Sequence, residues 1–239
     1  MCALSAQPSV KPPVIGAYGD SRGNIEIVTG VPGSFVLSDS GLTNATSFAF
    51  SSSGGFVKTP TELLVLDSSN EVTARFDAPA GPALFAFDPQ GSPALAYYAG
   101  SLFHLANGGL QVVNWTGDAI SIAMVSADLA AILVRSEREL WTVTVSLSDG
   151  SVINQARLND ASLPALLLAG GDVLFTWHGN LMVRNAQGVQ REIAAPFKPA
   201  SFAPMGNGWV AVRELGGRLF GLRILPDTLE LYQLPEVTQ

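Results

Sequence analysis

The stretch whose residue types and spacing come nearest to a catalytic pattern is Gly19-Asp20-Ser21-Arg22-Gly23, a G-x-S-x-G sequence. In enzymes this spacing presents a nucleophilic serine on a sharp strand-to-helix turn, with a histidine to take its proton. The flanks argue otherwise. Val14 to Tyr18 and Asn24 to Thr29 both read as strands, so the segment is expected to be a polar strand-to-strand turn and Ser21 is not expected to be catalytic. The chain has two histidines, His104 in a predicted strand and His178 in a predicted turn beside Trp177, and one distant cysteine, Cys2. That count excludes a Cys/His zinc site, and no metal or cofactor is expected. Asp88 and Asp128 follow predicted inner strands, where paired carboxylates could serve glycoside chemistry, but both occupy turns in which aspartate is an ordinary turn former.

Gly19-Asp20-Ser21 also resembles the first block of GDSL-type esterases. That resemblance implies an aspartate three residues before a histidine near the C-terminus. Neither His104 nor His178 has one.

The elements that would have to position any site are short strands. Leu84 to Trp115 holds four of them: Leu84 to Phe87, Pro93 to Tyr98, Leu102 to Leu105 and Leu110 to Asn114. Turn signals separate them at Asp88-Pro89-Gln90-Gly91, Ala99-Gly100-Ser101 and Asn107-Gly108-Gly109. Four antiparallel strands of this length cannot bury a core alone and need neighbours of the same kind. The first strand supplies the ruler. Phe48-Ala49-Phe50 lies 37 positions before Phe85-Ala86-Phe87, and Ile122-Ala123-Met124 lies 37 after it. Leu166-Leu167-Leu168 follows at 44 and Phe202-Ala203-Pro204 at 36. The long step reflects extended third and fourth strands, Leu140 to Ser146 and Val152 to Leu158.

Stepping back from Phe48 reaches Lys11-Pro12-Pro13, a poor strand because proline cannot donate to a ladder. The first unit is therefore expected to lack a sequence-evident inner strand, its other three being Val14 to Tyr18, Asn24 to Thr29 and Ser34 to Ser38. Either Ser9 to Lys11 or Glu236 to Gln239 could fill the gap. Six all-β units predict a six-bladed β-propeller of four-stranded antiparallel blades, with the first blade incomplete. Phe48, Phe85, Ile122, Leu166 and Phe202 are expected to be buried toward the axis. The AFDPQG turn followed by ALAYYAGSLFHL resembles the WD-like repeats of bacterial propellers, including those of the Tol-system type. The resemblance implies the architecture only, because fold does not carry function.

At 239 residues and 47% hydrophobic, the chain can bury one sizeable core, read as a tail over residues 1–13 and a single propeller domain over 14–239. The apolar stretches Ala119 to Val134 and Leu163 to Phe175 are shorter than a membrane-spanning helix needs and are broken by Asp128 and Asp172. They are expected to be core strands, and no membrane span is expected. A formal charge of −7 without a basic stripe argues against nucleic acid. Met1 to Gln7, with Ala6 near a Pro-rich stretch, reads as the end of a secretory signal, giving a periplasmic or secreted setting, or a cytoplasmic one if the start is genuine.

In up-and-down blades, the turns joining strands one to two and three to four form a first rim. The turns joining two to three, with the blade-to-blade connections, form a second. The first-rim turns carry no lysine or arginine, whereas the second-rim turns carry Asp20, Arg22, Arg135, Glu137, Arg138, Trp177, His178, Arg213, Glu214 and Arg218. Arginine and tryptophan dominate binding hot spots, so these ten residues are the expected binding face for a protein or small molecule. The expectation is a non-enzymatic extracytoplasmic binder. One alternative is a hydrolase or lyase built from Asp20, Ser21, Glu137, His178 and Glu214. Another is a structural module of an envelope complex.

Overall fold

The computed structural model describes residues 12–19, 23–137 and 139–235. They form six antiparallel sheets arranged as a six-bladed β-propeller. Blade one is β1 (Val14–Gly19), β2 (Ile25–Val31) and β3 (Ser34–Asp39); blade two is β4 (Ser47–Ser51), β5 (Gly54–Lys58), β6 (Glu62–Asp67) and β7 (Val72–Asp77). Blade three is β8 (Ala83–Phe87), β9 (Pro93–Tyr98), β10 (Ser101–Ala106) and β11 (Gly109–Thr116); blade four is β12 (Ala119–Ser126), β13 (Leu129–Ser136), β14 (Glu139–Ser146) and β15 (Val152–Arg157). Blade five is β16 (Ser162–Leu167), β17 (Val173–Trp177), β18 (Asn180–Arg184) and β19 (Gln190–Ile193), and blade six is β20 (Pro199–Gly206), β21 (Trp209–Glu214), β22 (Leu219–Ile224) and β23 (Leu229–Gln233). The two apolar stretches are the inner hairpins of blades four and five. No helix among the described residues is long and apolar enough to cross a membrane.

Strand alternation explains the ring. Successive side chains point to opposite faces of a sheet, so each inner strand packs one set on the preceding blade and the other on the following blade. Six apolar layers result. In one, Ala49 and Phe56 of blade two meet Phe85 and Ala96 of blade three, with the Phe56 and Phe85 rings stacked at 4.9 Å. The layer that closes the circle packs Met205, Trp209 and Leu219 of blade six on Ile15, Tyr18 and Val28 of blade one.

None of the five ruler residues is exposed, but they face neighbouring blades rather than the axis. Phe48, Phe85, Ile122 and Phe202 point to the preceding blade, whereas Leu166 points to the following one and Leu167 takes the preceding side. The ruler is thus one residue out of phase in blade five, beside irregular registers in β12 and β16. A one-residue slip exchanges the two faces of a strand.

Blade one has three strands among the described residues, and the missing position is the inner one. The Asn207 side chain, in the β20–β21 turn, donates to the carbonyl of Val14 at 3.2 Å. The Ala45 N–H, in the connection to β4, donates to Gly23 O at 3.0 Å. These contacts place the start of β1 on the first rim and its end on the second, the direction of a second strand. Inner strands β20 and β4 lie against each other: a Cβ on Gly206 would sit 2.6 Å from Phe50 O. Among the described residues, five inner strands therefore enclose the axis. Ser9, Val10, Lys11 and Glu236 to Gln239, the segments considered for the gap, lie outside the described residues.

Candidate binding end of the channel

The inner strands enclose a channel of about 830 Å³, lined chiefly by small and apolar side chains such as Ala49, Ala86, Ile122 and Ala123. Serine hydroxyls interrupt the lining, Ser51 toward the first rim and Ser201 toward the second. Among the described residues, three charged ones line the wall: Asp88 and Asp172 toward the first rim, and Arg213 toward the second. Backbone N–H groups of Gln90 and Ser92 satisfy Asp88 at 2.9 and 2.8 Å, so its carboxylate closes its own turn. Burial raises the Asp172 carboxyl above the usual range, while Arg191, at 3.6 Å, pulls it down.

The side of the channel next to blades six and one is wider in composition than the rest. Blades two to five contribute inner strands and their flanking turns, whereas blade six adds Trp209, Val210, Ala211, Arg213 and Leu219 from its second and third strands, and blade one adds Ala17 and Gly19. Arg213 is paired in register with Ser201 on one side and Leu219 on the other, and all three line the channel. Its guanidinium donates to Gly217 O at 3.4 Å, and no carboxylate among the described residues pairs with it.

The next residue explains why. Glu214 is held bidentately by Arg218, at 2.5 and 2.9 Å, and these hydrogen bonds keep its carboxyl below the ordinary glutamate range. The turn is fixed further by Leu215 N–H donating to Lys198 O at 2.9 Å. Below it, Phe220 stacks on Phe197 at 4.1 Å and lies under the Arg218 guanidinium.

The remaining residues expected on this face are spread over other blades. Asp20, Ser21, Arg22 and Arg138 lie outside the described residues. Arg135 folds back on its own turn, donating to Glu137 O at 3.1 Å, and Glu137 is exposed with φ 54°. His178 is exposed with φ 48°, its ring against Trp177 at 4.6 Å. In both turns the left-handed residue suits a tight two-residue hairpin. Neither histidine lines the channel, and Glu137 and Glu214 do not either. Of the seven described residues among the ten, the structure brings together Arg213, Glu214 and Arg218, and sets only Arg213 on the channel wall.

Turn composition missed three participants. Ser201 sits in an inner strand and becomes visible only through its register with Arg213. Arg191 sits in strand β19 yet reaches the first rim, bridging Asp172 and the carbonyls of Leu225 and Pro226 in blade six. The charge division between the rims is therefore less sharp than the turns alone imply. Lys58, fully buried, donates to the carbonyls of Thr59 and Ala78, and burial lowers its amine below the usual lysine range. This ammonium clasps blade two to the connection leading into blade three.

No protein-family model matches the chain, and no curated protein does. Solved structures do. A protein of unknown function from Bacteroides caccae superposes with a TM-score of 0.56 at 13% identity, covering 93% of this chain and 94% of that one. A streptogramin B lyase gives 0.53 at 13% identity, over 96% and 86% of the two chains. The Swd1 β-propeller domain of Myceliophteria thermophila gives 0.53 at 11%, over 81% and 72%. At such identities these likenesses show the propeller fold and nothing finer.

Proposed function

We propose that this propeller is a non-enzymatic binding scaffold whose ligand or partner engages the second-rim end of the channel, at the blade-six turn. One observation carries the reading: Arg213 lies on the channel wall without a carboxylate partner among the described residues, next to a glutamate already neutralised by Arg218. An unpaired cation at the mouth of a largely apolar channel is the arrangement of a ligand site, in which a few polar groups orient and apolar surface supplies affinity. The groups available for hydrolysis or elimination do not support an enzyme equally well, because Glu137 and His178 sit on separate exposed turns and Glu214 is pinned. The likeness to a streptogramin B lyase extends to the fold.

Ligand-detected NMR with a charge-sorted fragment set tests the reading. Hits lost in Arg213→Ala but kept in Asp149→Asn with Asp227→Asn, on the opposite rim, support it; the reverse pattern contradicts it. The extracytoplasmic setting is part of the proposal and rests on Met1 to Gln7. Fractionation of cells expressing the native gene tests it, and a wholly cytoplasmic product would refute that part.

A further inference from the structure

Resting on the binding reading, the chemistry of the channel specifies a ligand class. We infer that the second-rim mouth takes a small amphiphilic anion, a single carboxylate head held by Arg213 and Ser201 with an apolar body in the channel.

The charge at the mouth favours an anion. Arg213 and Arg218 stand at the blade-six turn, where Glu214 is the one carboxylate among the described residues and is committed to Arg218. Arg213 retains donors for a ligand, and a guanidinium matches a carboxylate in a two-bond geometry. Ser201, its cross-strand partner, adds a hydroxyl at the same level of the wall. Only Gly217 O engages Arg213 among the described residues, so binding an anion there breaks no ion pair among them.

Beyond the mouth the wall becomes apolar. Small apolar residues such as Ala123, Ala165 and Ala203 line it alongside Phe202 and Ile122, whose side chains turn toward neighbouring blades, and the 830 Å³ channel has ample room for a chain of several methylenes. The far end offers no matching cation on the wall among the described residues: Asp88 lines it, and Arg191 there is engaged by Asp172. That end disfavours a dianion long enough to span the channel. A monoanion satisfies both ends.

The test is calorimetric titration, at pH 8 and below micelle-forming concentrations, of decanoate, decanol and acetate into the full chain. Decanoate should bind about tenfold or more tightly than decanol, in keeping with the strength of charge-assisted hydrogen bonds, and acetate should bind far more weakly than either. In Arg213→Ala, with an unchanged unfolding midpoint, decanoate should fall to the level of decanol; Arg213→Lys should keep part of the preference, and Ser201→Ala should lose a few-fold. Equal binding of decanoate and decanol, an unaltered preference in Arg213→Ala, or no decanoate binding would each overturn the proposal. Failure of decanoate with fragment hits still dependent on Arg213 would discard the ligand class and leave the binding end standing. Failure of both would discard both.

Discussion

The second-rim turns of blade four and blade six contain the same residue types, yet the structure gives them different capacities. Arg135 and Glu137 occupy a short, exposed turn in which the arginine bonds its own backbone and neither residue touches the channel. Arg213, Glu214 and Arg218 occupy a turn braced by Lys198, Phe197 and Phe220, and its ion pair leaves Arg213 on the channel wall. Charged residues in a propeller connection acquire meaning from what their neighbours neutralise and from the space they border.

The brace is the largest lever on this difference. Phe220→Ala should cost about 3 kcal/mol, the usual range for deleting a buried aromatic, read from urea unfolding, and should weaken ligand binding at the same time. A loss under about 1 kcal/mol would mean that the stack on Phe197 does not support the turn.

Next comes the direct contrast between the two arginines. Arg213→Ala should abolish binding of NMR fragment hits while moving stability by no more than about 0.5 kcal/mol, and Arg135→Ala should change neither. Equal effects on binding would erase the distinction between the blades.

Arg218→Ala should act through Glu214. With Arg218 present, the folded-state pKa of Glu214 is depressed, so its contribution to stability is present above the unfolded pKa and disappears as pH falls through the folded one. The variant should lose this part of the acid limb of the unfolding profile, and the released carboxylate should compete for Arg213 and weaken anionic ligands. An acid limb identical to wild type would place the Glu214 pairing outside the folding equilibrium.

Glu137→Gly should give the smallest effect, a gain of roughly 0.5–1 kcal/mol in the unfolding equilibrium, because glycine adopts the left-handed conformation without the penalty of a Cβ. Ligand binding should stay the same. A destabilised variant would show that the Glu137 side chain has a role its exposed position does not reveal.

The architecture was legible because turn chemistry and alternation are local. Asp88-Pro89-Gln90-Gly91 closes with Gly91 N–H on Asp88 O, and Asn107-Gly108 and His178-Gly179 make the tight hairpins that their types require. That blade one shows three strands among the described residues was legible too, through Pro12 and Pro13. The facing of Leu166 was not, since Leu166-Leu167-Leu168 offers the same apolar residue in either phase and composition alone cannot choose between them. The site was only partly legible. Arg213 could be named from its turn, but its distinction from Arg135 depends on Ser201, Lys198 and Phe197, which meet it only after the blades fold. Arg191 escaped notice because it belongs to a strand and acts across a blade boundary.

The most direct test of where the molecule binds is an amide chemical-shift map of deuterated protein titrated with a fragment hit. Binding at the blade-six end predicts the largest shifts at Ser201, Phe202, Arg213, Gly217 and Leu219, with Asp149, Asn185 and Asp227 unmoved. A footprint centred on those first-rim turns, or on Arg135 and Glu137, would contradict it.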